Sequence, residues 1–322
     1  MRFNPKARLD TSRTRDVGGS GGGGGLSGGL GGGSLPIPGG KAGGGIGTIV
    51  VLLVLFLVGQ CTGIGPQLGG SGGSLDTSAF TGGSAQGAGL DGQSFDYSQC
   101  QTGDDANDNE NCALVAVENS LTDYWSQQPQ MASRFQPEKA IEVFHGSVQT
   151  DGCGSATTDV GPFYCPGDST IYLDTAFYDT VFKQLGGQDT TFVRAYVIAH
   201  EYGHHIQNLL GTMSRVKTQQ GATSDSVRLE LQADCYAGMW AAHAEGDGFV
   251  EDITDQDVSE GISAAHDVGD DYIQNKMGGG SNPESWTHGS SAEREAWFKA
   301  GMNAGDDMNA CDTFSARDLT NP

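Results

Sequence analysis

Basic residues are scarce in this chain: 17 Lys and Arg stand against 40 Asp and Glu, for a formal net charge of -23 over 322 residues. No patch of Lys and Arg interleaved with aromatics occurs, and an acidic body is repelled by nucleic-acid phosphates, so the composition argues against a nucleic-acid partner. None of the seven cysteines forms a C-x-x-C pair, which counts against a zinc site built from cysteine. The long glycine tract near the N-terminus is no phosphate-cradling loop, because no strand pattern precedes it and no G-K-[ST] follows. Long hydrophobic runs are also missing, apart from Ile46 to Val58.

What is present is unevenly placed. The 52 glycines concentrate before residue 95, leaving about 220 residues of ordinary composition, enough for one globular domain with a substantial core. Residues 1–41 carry Arg2, Lys6, Arg8, Arg13, Arg15 and Lys41 against Asp10 and Asp16, so this head is +4 and the rest of the chain -27. Its Gly/Ser run buries too little surface to offset chain entropy and predicts a disordered tether. With its Gly, Thr and Cys flanks, the apolar run completes about twenty residues, the length of a membrane span. The positive-inside rule then places the N-terminus in the cytoplasm and the body outside. The expected organisation is a disordered basic head, 1–41; a single transmembrane anchor, 42–64; a Gly/Ser-rich linker, 65–94; and one domain, 95–322.

Cysteine usage fits that orientation, since Cys100, Cys112, Cys153, Cys165, Cys235 and Cys311 all follow the apolar run. An even set in an oxidising compartment implies disulfides. Short spacing favours Cys100–Cys112 and Cys153–Cys165, which leaves Cys235 with Cys311. Between these lie Ala113–Gln128, with apolar residues at helical intervals, Pro137–Phe144, read as another short helix, and a hairpin of Phe163-Tyr164-Cys165 and Ile171-Tyr172-Leu173 around Pro166-Gly167-Asp168-Ser169. The acidic, Asn-rich stretch Asp104–Glu110 lacks the glycine and terminal glutamate of a calcium loop and reads as solvated.

The chemistry centres on His200-Glu201-Tyr202-Gly203-His204. Phe192, Val193, Tyr196, Val197, Ile206, Leu209 and Leu210 recur at three- and four-residue intervals, Asp189, Thr190 and Thr191 offer caps, and Gly211 offers a stop. On such a helix His200 and His204 share a face and can reach one metal ion, with Glu201 beside them as general base. Ser224 and Ser226 can cap a second helix, about Val227 to Ala244, on which Glu230 and Asp234 also share a face. Glu230 is the expected third metal ligand, and Asp234 the acceptor that orients His200. The expected cofactor is Zn2+ and the expected partner a peptide or protein substrate. For the oxyanion donor the candidates are His288, Arg294 and Tyr202, with His288 preferred and Arg294 otherwise a structural ion pair. Ser290 and Glu293 read as a capping box. His205 faces away from the two ligands and reads as a packing residue, as do His145, His243 and His266.

With these residues in hand, the sequence resembles the neutral zinc metallopeptidases, a bacterial membrane-anchored family of the H-E-x-x-H zincin type, over roughly Ser94 to Phe314. The resemblance rests on Cys165-Pro166-Gly167-Asp168 with Ile171-Tyr172-Leu173-Asp174, on His200 to Gln207, and on Leu229-Glu230-Leu231-Gln232-Ala233-Asp234-Cys235. His288 to Arg294 with Trp297-Phe298, and Cys311-Asp312-Thr313-Phe314, complete it. It implies an α+β zincin-like domain, mostly helical with a small β-sheet, and zinc-dependent peptide hydrolysis at the outer face of the membrane. A catalytically silent or gated scaffold of the same fold is the alternative, although such a protein should lack the base that Glu201 supplies. An extended substrate is expected to pair with the hairpin at Phe163 to Leu173.

Overall fold

The computed structural model describes residues 1–18, 94–178 and 183–322. The expected anchor, 42–64, and the expected linker up to residue 93 lie outside them. Among the described residues no helix is long and apolar enough to cross a membrane.

The first correction concerns the head. Residues 1–18 are not a disordered tether: they contribute strands β1 (Arg2–Phe3) and β2 (Thr14–Gly18) to the folded body. Phe3, Ala7, Leu9 and Thr14 are buried there. Glycine begins only at Gly18, and the residues before it alternate between exposed and buried in a way the overall Gly/Ser composition conceals.

Further along, α1 (Gly103–Asp108) replaces the expected solvated loop, because Thr102 and Asp105 form a reciprocal capping box. Helix α2 (Glu110–Gln127) follows as the periodicity predicts. Pro137–Phe144 is not a helix. Its second half is strand β3 (Ala140–Phe144), in which Ile141, Val143 and Phe144 are buried. Such a short apolar run fits a buried strand as well as a helix, and β-branched residues favour the strand.

β3 lies inside a four-stranded sheet of order β2-β3-β7-β6, where β6 (Phe163–Cys165) and β7 (Thr170–Asp174) form the expected antiparallel hairpin. β2 and β7 both run parallel to β3. A small hairpin of β4 (Ser147–Gln149) and β5 (Ser155–Thr157) lies beside it, and its Val148 and Ala156 share a satellite core with Phe144, Phe163 and Tyr172.

Helix α3 (Thr191–Leu210) carries the histidine motif. Thr190 caps its start, and Gly211 ends it at φ 76, a left-handed turn that glycine takes at no steric cost. Helix α4 (Asp225–His243) is capped by Ser224. After β8 (Val250–Asp252), which pairs antiparallel with β1, come α5 (Asp255–Asp267), α6 (Asp270–Lys276) and α7 (Ser291–Met302). The Ser290/Glu293 capping box opens α7. The described fold is thus α+β, helices predominating over small sheets.

All three expected disulfides are present: Cys100–Cys112, Cys153–Cys165 and Cys235–Cys311. The last joins α4 to the C-terminal segment across a sequence separation of 76.

Glycines set how closely the helices approach. A Cβ on Gly203 of α3 would lie 3.0 Å from the Ala233 carbonyl oxygen of α4, and one on Gly301 of α7 would lie 1.9 Å from the Cys235 carbonyl oxygen. α4 therefore meets both neighbours nearly backbone to backbone. Gly301→Val is expected to cost about 3 kcal/mol or more, since overpacking against a backbone cannot be relieved by a rotamer change. Gly246→Ala, with nothing within 4 Å, should be near neutral. Urea unfolding of the two variants beside the parent measures the contrast.

Candidate metal centre

Helix α3 presents His200 and His204 one turn apart, and α4 brings Glu230 against both. His200 Nε2 lies 3.2 Å from Glu230 Oε2, and His204 Nε2 lies 3.5 Å from Glu230 Oε1. All three side chains are buried, and one donor atom from each falls within 4.8 Å of the others. Such a cluster of donors could hold a metal ion.

The other nitrogen of each ring is occupied. His200 Nδ1 donates to Asp234 Oδ1 at 2.8 Å, leaving the Nε2 lone pair for a cation. His204 Nδ1 donates to Gln207 Oε1 at 2.8 Å, while Gln207 Nε2 donates to the Leu229 carbonyl at 2.7 Å and so fixes which way the amide points. Gln207 was not assigned a role from sequence, although its position three residues after His204 puts it on the neighbouring ridge of the same helix.

Asp234 is fully buried and heavily subscribed. Arg294 grips it with Nε to Oδ2 at 2.8 Å and Nη2 to Oδ1 at 3.0 Å, and the Tyr196 hydroxyl donates to Oδ1 at 2.6 Å. Burial opposes its charge, but Arg294 and His200 prevail and hold the carboxyl down at about 2. Burial likewise disfavours the His200 cation, yet Asp234 and Glu230 hold its pKa up at about 10. Glu230 is held well below the usual carboxylate range by His204 and His200 despite its burial.

Glu201 is buried beside the two histidines. Its Oε2 has no partner among the described residues. Burial raises its pKa, while His204 and His200 oppose the shift. His288 lies within electrostatic reach of Glu230, and its Nδ1 stands 3.0 Å from Thr287 Oγ1 and 3.4 Å from Asp270 Oδ1. Asp270 also accepts the backbone N–H groups of Thr287, His288 and Gly289, which pins the loop. Burial lowers the His288 pKa, but Asp270 and Glu230 outweigh it and the net shift is upward.

The remaining candidates are elsewhere or occupied. Tyr202 points out of the site, its hydroxyl 3.0 Å from Thr122 Oγ1. Arg294 is committed to Asp234. His205 Nε2 donates to the Gln136 carbonyl at 2.8 Å and its Nδ1 accepts from the Tyr164 hydroxyl at 3.1 Å, a packing role. His145, His243 and His266 belong to other clusters.

The expected pairing of an extended substrate with the hairpin falls on β6, the outer strand of the four-stranded sheet. Phe163, Tyr164 and Cys165 are fully buried.

Two histidines and a glutamate from adjacent helices, with a second glutamate beside them, form a group that could hold a metal ion. The chain belongs to the family described as "Putative neutral zinc metallopeptidase", which it matches over residues 4–314. It is 48% identical over 233 residues to the Mycobacterium tuberculosis (strain H37Rv) protein Rv2575, covering 70% of this chain and 78% of that one. The Escherichia coli K12 protein YpfJ is 39% identical over 232 residues, covering 70% and 79%. No solved structure gives a significant match.

Two measurements follow. Asp234→Asn should weaken zinc binding about 10- to 100-fold, because an orienting partner of His200 is altered; competition with a chelating dye reads it. The second concerns His205, whose pKa burial pushes down to about 4. The unfolded ring titrates near 6.5, so between those values the unfolded state binds more protons and stability falls as pH drops. His205 should cost the metal-free protein about 3 kcal/mol on going from pH 7 to pH 4, and His205→Gln should flatten that part of the slope in urea titrations at the two pH values.

Proposed function

We propose that this protein hydrolyses peptide bonds in peptide or protein substrates, using zinc held by His200, His204 and Glu230. Zinc there would supply Lewis acidity for the scissile carbonyl and lower the pKa of a water molecule from 15.7 towards about 7. The observation that carries the reading is the donor set itself, with both histidine tautomers fixed and an unpartnered carboxylate oxygen of Glu201 beside it.

Glu201 takes the proton of the attacking water at that free oxygen and passes it to the leaving amine. The upward shift at His288 keeps an N–H available to meet the developing oxyanion, and Asp270 and Thr287 orient its ring. Arg294 and Tyr196 hold the Asp234 carboxylate where it can orient the His200 ring.

A second reading, a gated or silent scaffold of the cell envelope, is favoured by burial: His200, Glu201, His204 and Glu230 are 1–7% exposed. The extracytoplasmic setting of the body is part of the proposal and is supported by its three disulfides.

The test compares the parent with Glu201→Gln and His288→Gln for zinc content and cleavage of a peptide library. The hydrolase reading expects about one zinc per chain in all three. It also expects cleavage reduced at least about 10²-fold in Glu201→Gln and about 10²- to 10³-fold in His288→Gln. Zinc in every variant with no cleavage by the parent would favour the scaffold, and absence of zinc would end both readings.

A further inference from the structure

Arg13 reaches from the N-terminal arm into the interior behind the metal helix. Its Nε donates to Glu118 Oε1 at 2.8 Å and lies 3.7 Å from Glu138 Oε1, and both carboxylates are buried at 0–1% exposure. No other cation among the described residues pairs with either glutamate. Thr122 Oγ1 donates to Glu118 at 2.8 Å and lies 3.0 Å from the hydroxyl of Tyr202, inside the histidine motif. The arm is thereby linked to α3.

The docking is extensive. β2 runs parallel to β3 from Thr14 to Gly18. Asp10 and Asn119 exchange two hydrogen bonds, as do Phe3 and Asn107. A Cβ on Gly103 would collide with the Asn4 carbonyl. Arg2 and Arg15 pair with Glu251 and Glu142 of the body, so these members of the basic head are complementary to the acidic domain.

The two ends of the intervening chain meet at one carboxylate. Asp16 Oδ1 accepts from Gly18 N–H at 2.7 Å, and Asp16 Oδ2 accepts from Phe95 N–H at 2.9 Å, with His145 Nε2 3.0 Å from the same oxygen. The chain leaves the body at Gly18 and rejoins it at Phe95 at a single point. A helix that crosses a bilayer once puts its two ends on opposite faces. That cannot coexist with this packing, because withdrawing the arm would strip the buried Glu118 carboxylate of its cation.

We infer that residues 1–18 and the body from 95 onward lie on the same side of the membrane, with no net crossing between them, and that the arm is an integral part of the metal-binding domain. This stands independently of the peptidase reading.

The test uses the full chain in the membranes of a producing bacterium, in a Cys61→Ser background. Lys6→Cys in the arm and Lys299→Cys in the body, both exposed, are treated with a membrane-impermeant maleimide on intact spheroplasts and again after lysis. The same labelling pattern at both positions supports the inference, whichever face it reports. Labelling of one position with protection of the other overturns it. In purified full-length protein, Arg13→Met should lower the thermal midpoint by several degrees, whereas Arg8→Met, at an exposed side chain, should not. Equal midpoints for the two variants would overturn the docked arm.

Discussion

The buried carboxylate of Asp234 is the interaction on which the metal centre depends. It lies on α4, takes a bidentate grip from Arg294 of α7, and accepts from Tyr196 and His200 of α3. Three helices are thus registered by one side chain. A carboxylate buried this deeply is tolerable only because it is fully paired, and removing either partner would leave an uncompensated charge in the interior. The same network sets the His200 tautomer, so the energetic requirement of the core and the chemical requirement of the site are met by the same bonds.

Close helix approach makes that network possible. Gly203 and Ala233 let α3 lie against α4, and Gly301 lets α7 reach it from the other side. The glycine of the histidine motif thereby brings Glu230 within reach of both imidazoles. Behind the helix, Arg13, Glu118 and Glu138 form a second buried ionic cluster, supplied in part from the other end of the chain.

Much of the metal site was legible in the sequence because helical periodicity is a local rule. His200 with His204, and Glu230 with Asp234, share faces at four-residue spacing, and Ser224 and Ser290 announce their helices through capping chemistry. Two disulfides, Cys100–Cys112 and Cys153–Cys165, were legible from their short spacing, whereas Cys235–Cys311 joins segments 76 residues apart and only the fold decides it. Pro137–Phe144 misled because a short apolar run serves a buried strand and a helix equally well. The N-terminal arm misled because its few apolar residues were outweighed by the glycine tract that follows.

The sequence by itself determined the histidine helix, its partner helix and the donor types they carry, since these follow from side-chain spacing along single elements. Only the tertiary structure decided that Arg294 serves Asp234, that Tyr202 points away from the metal centre, that Phe163, Tyr164 and Cys165 of the hairpin are buried, and that Met1–Gly18 belongs to the body. Each of these depends on pairing between distant segments. Burial sets their strength: in a low-dielectric interior a charge must find its counter-charge wherever in the chain it lies.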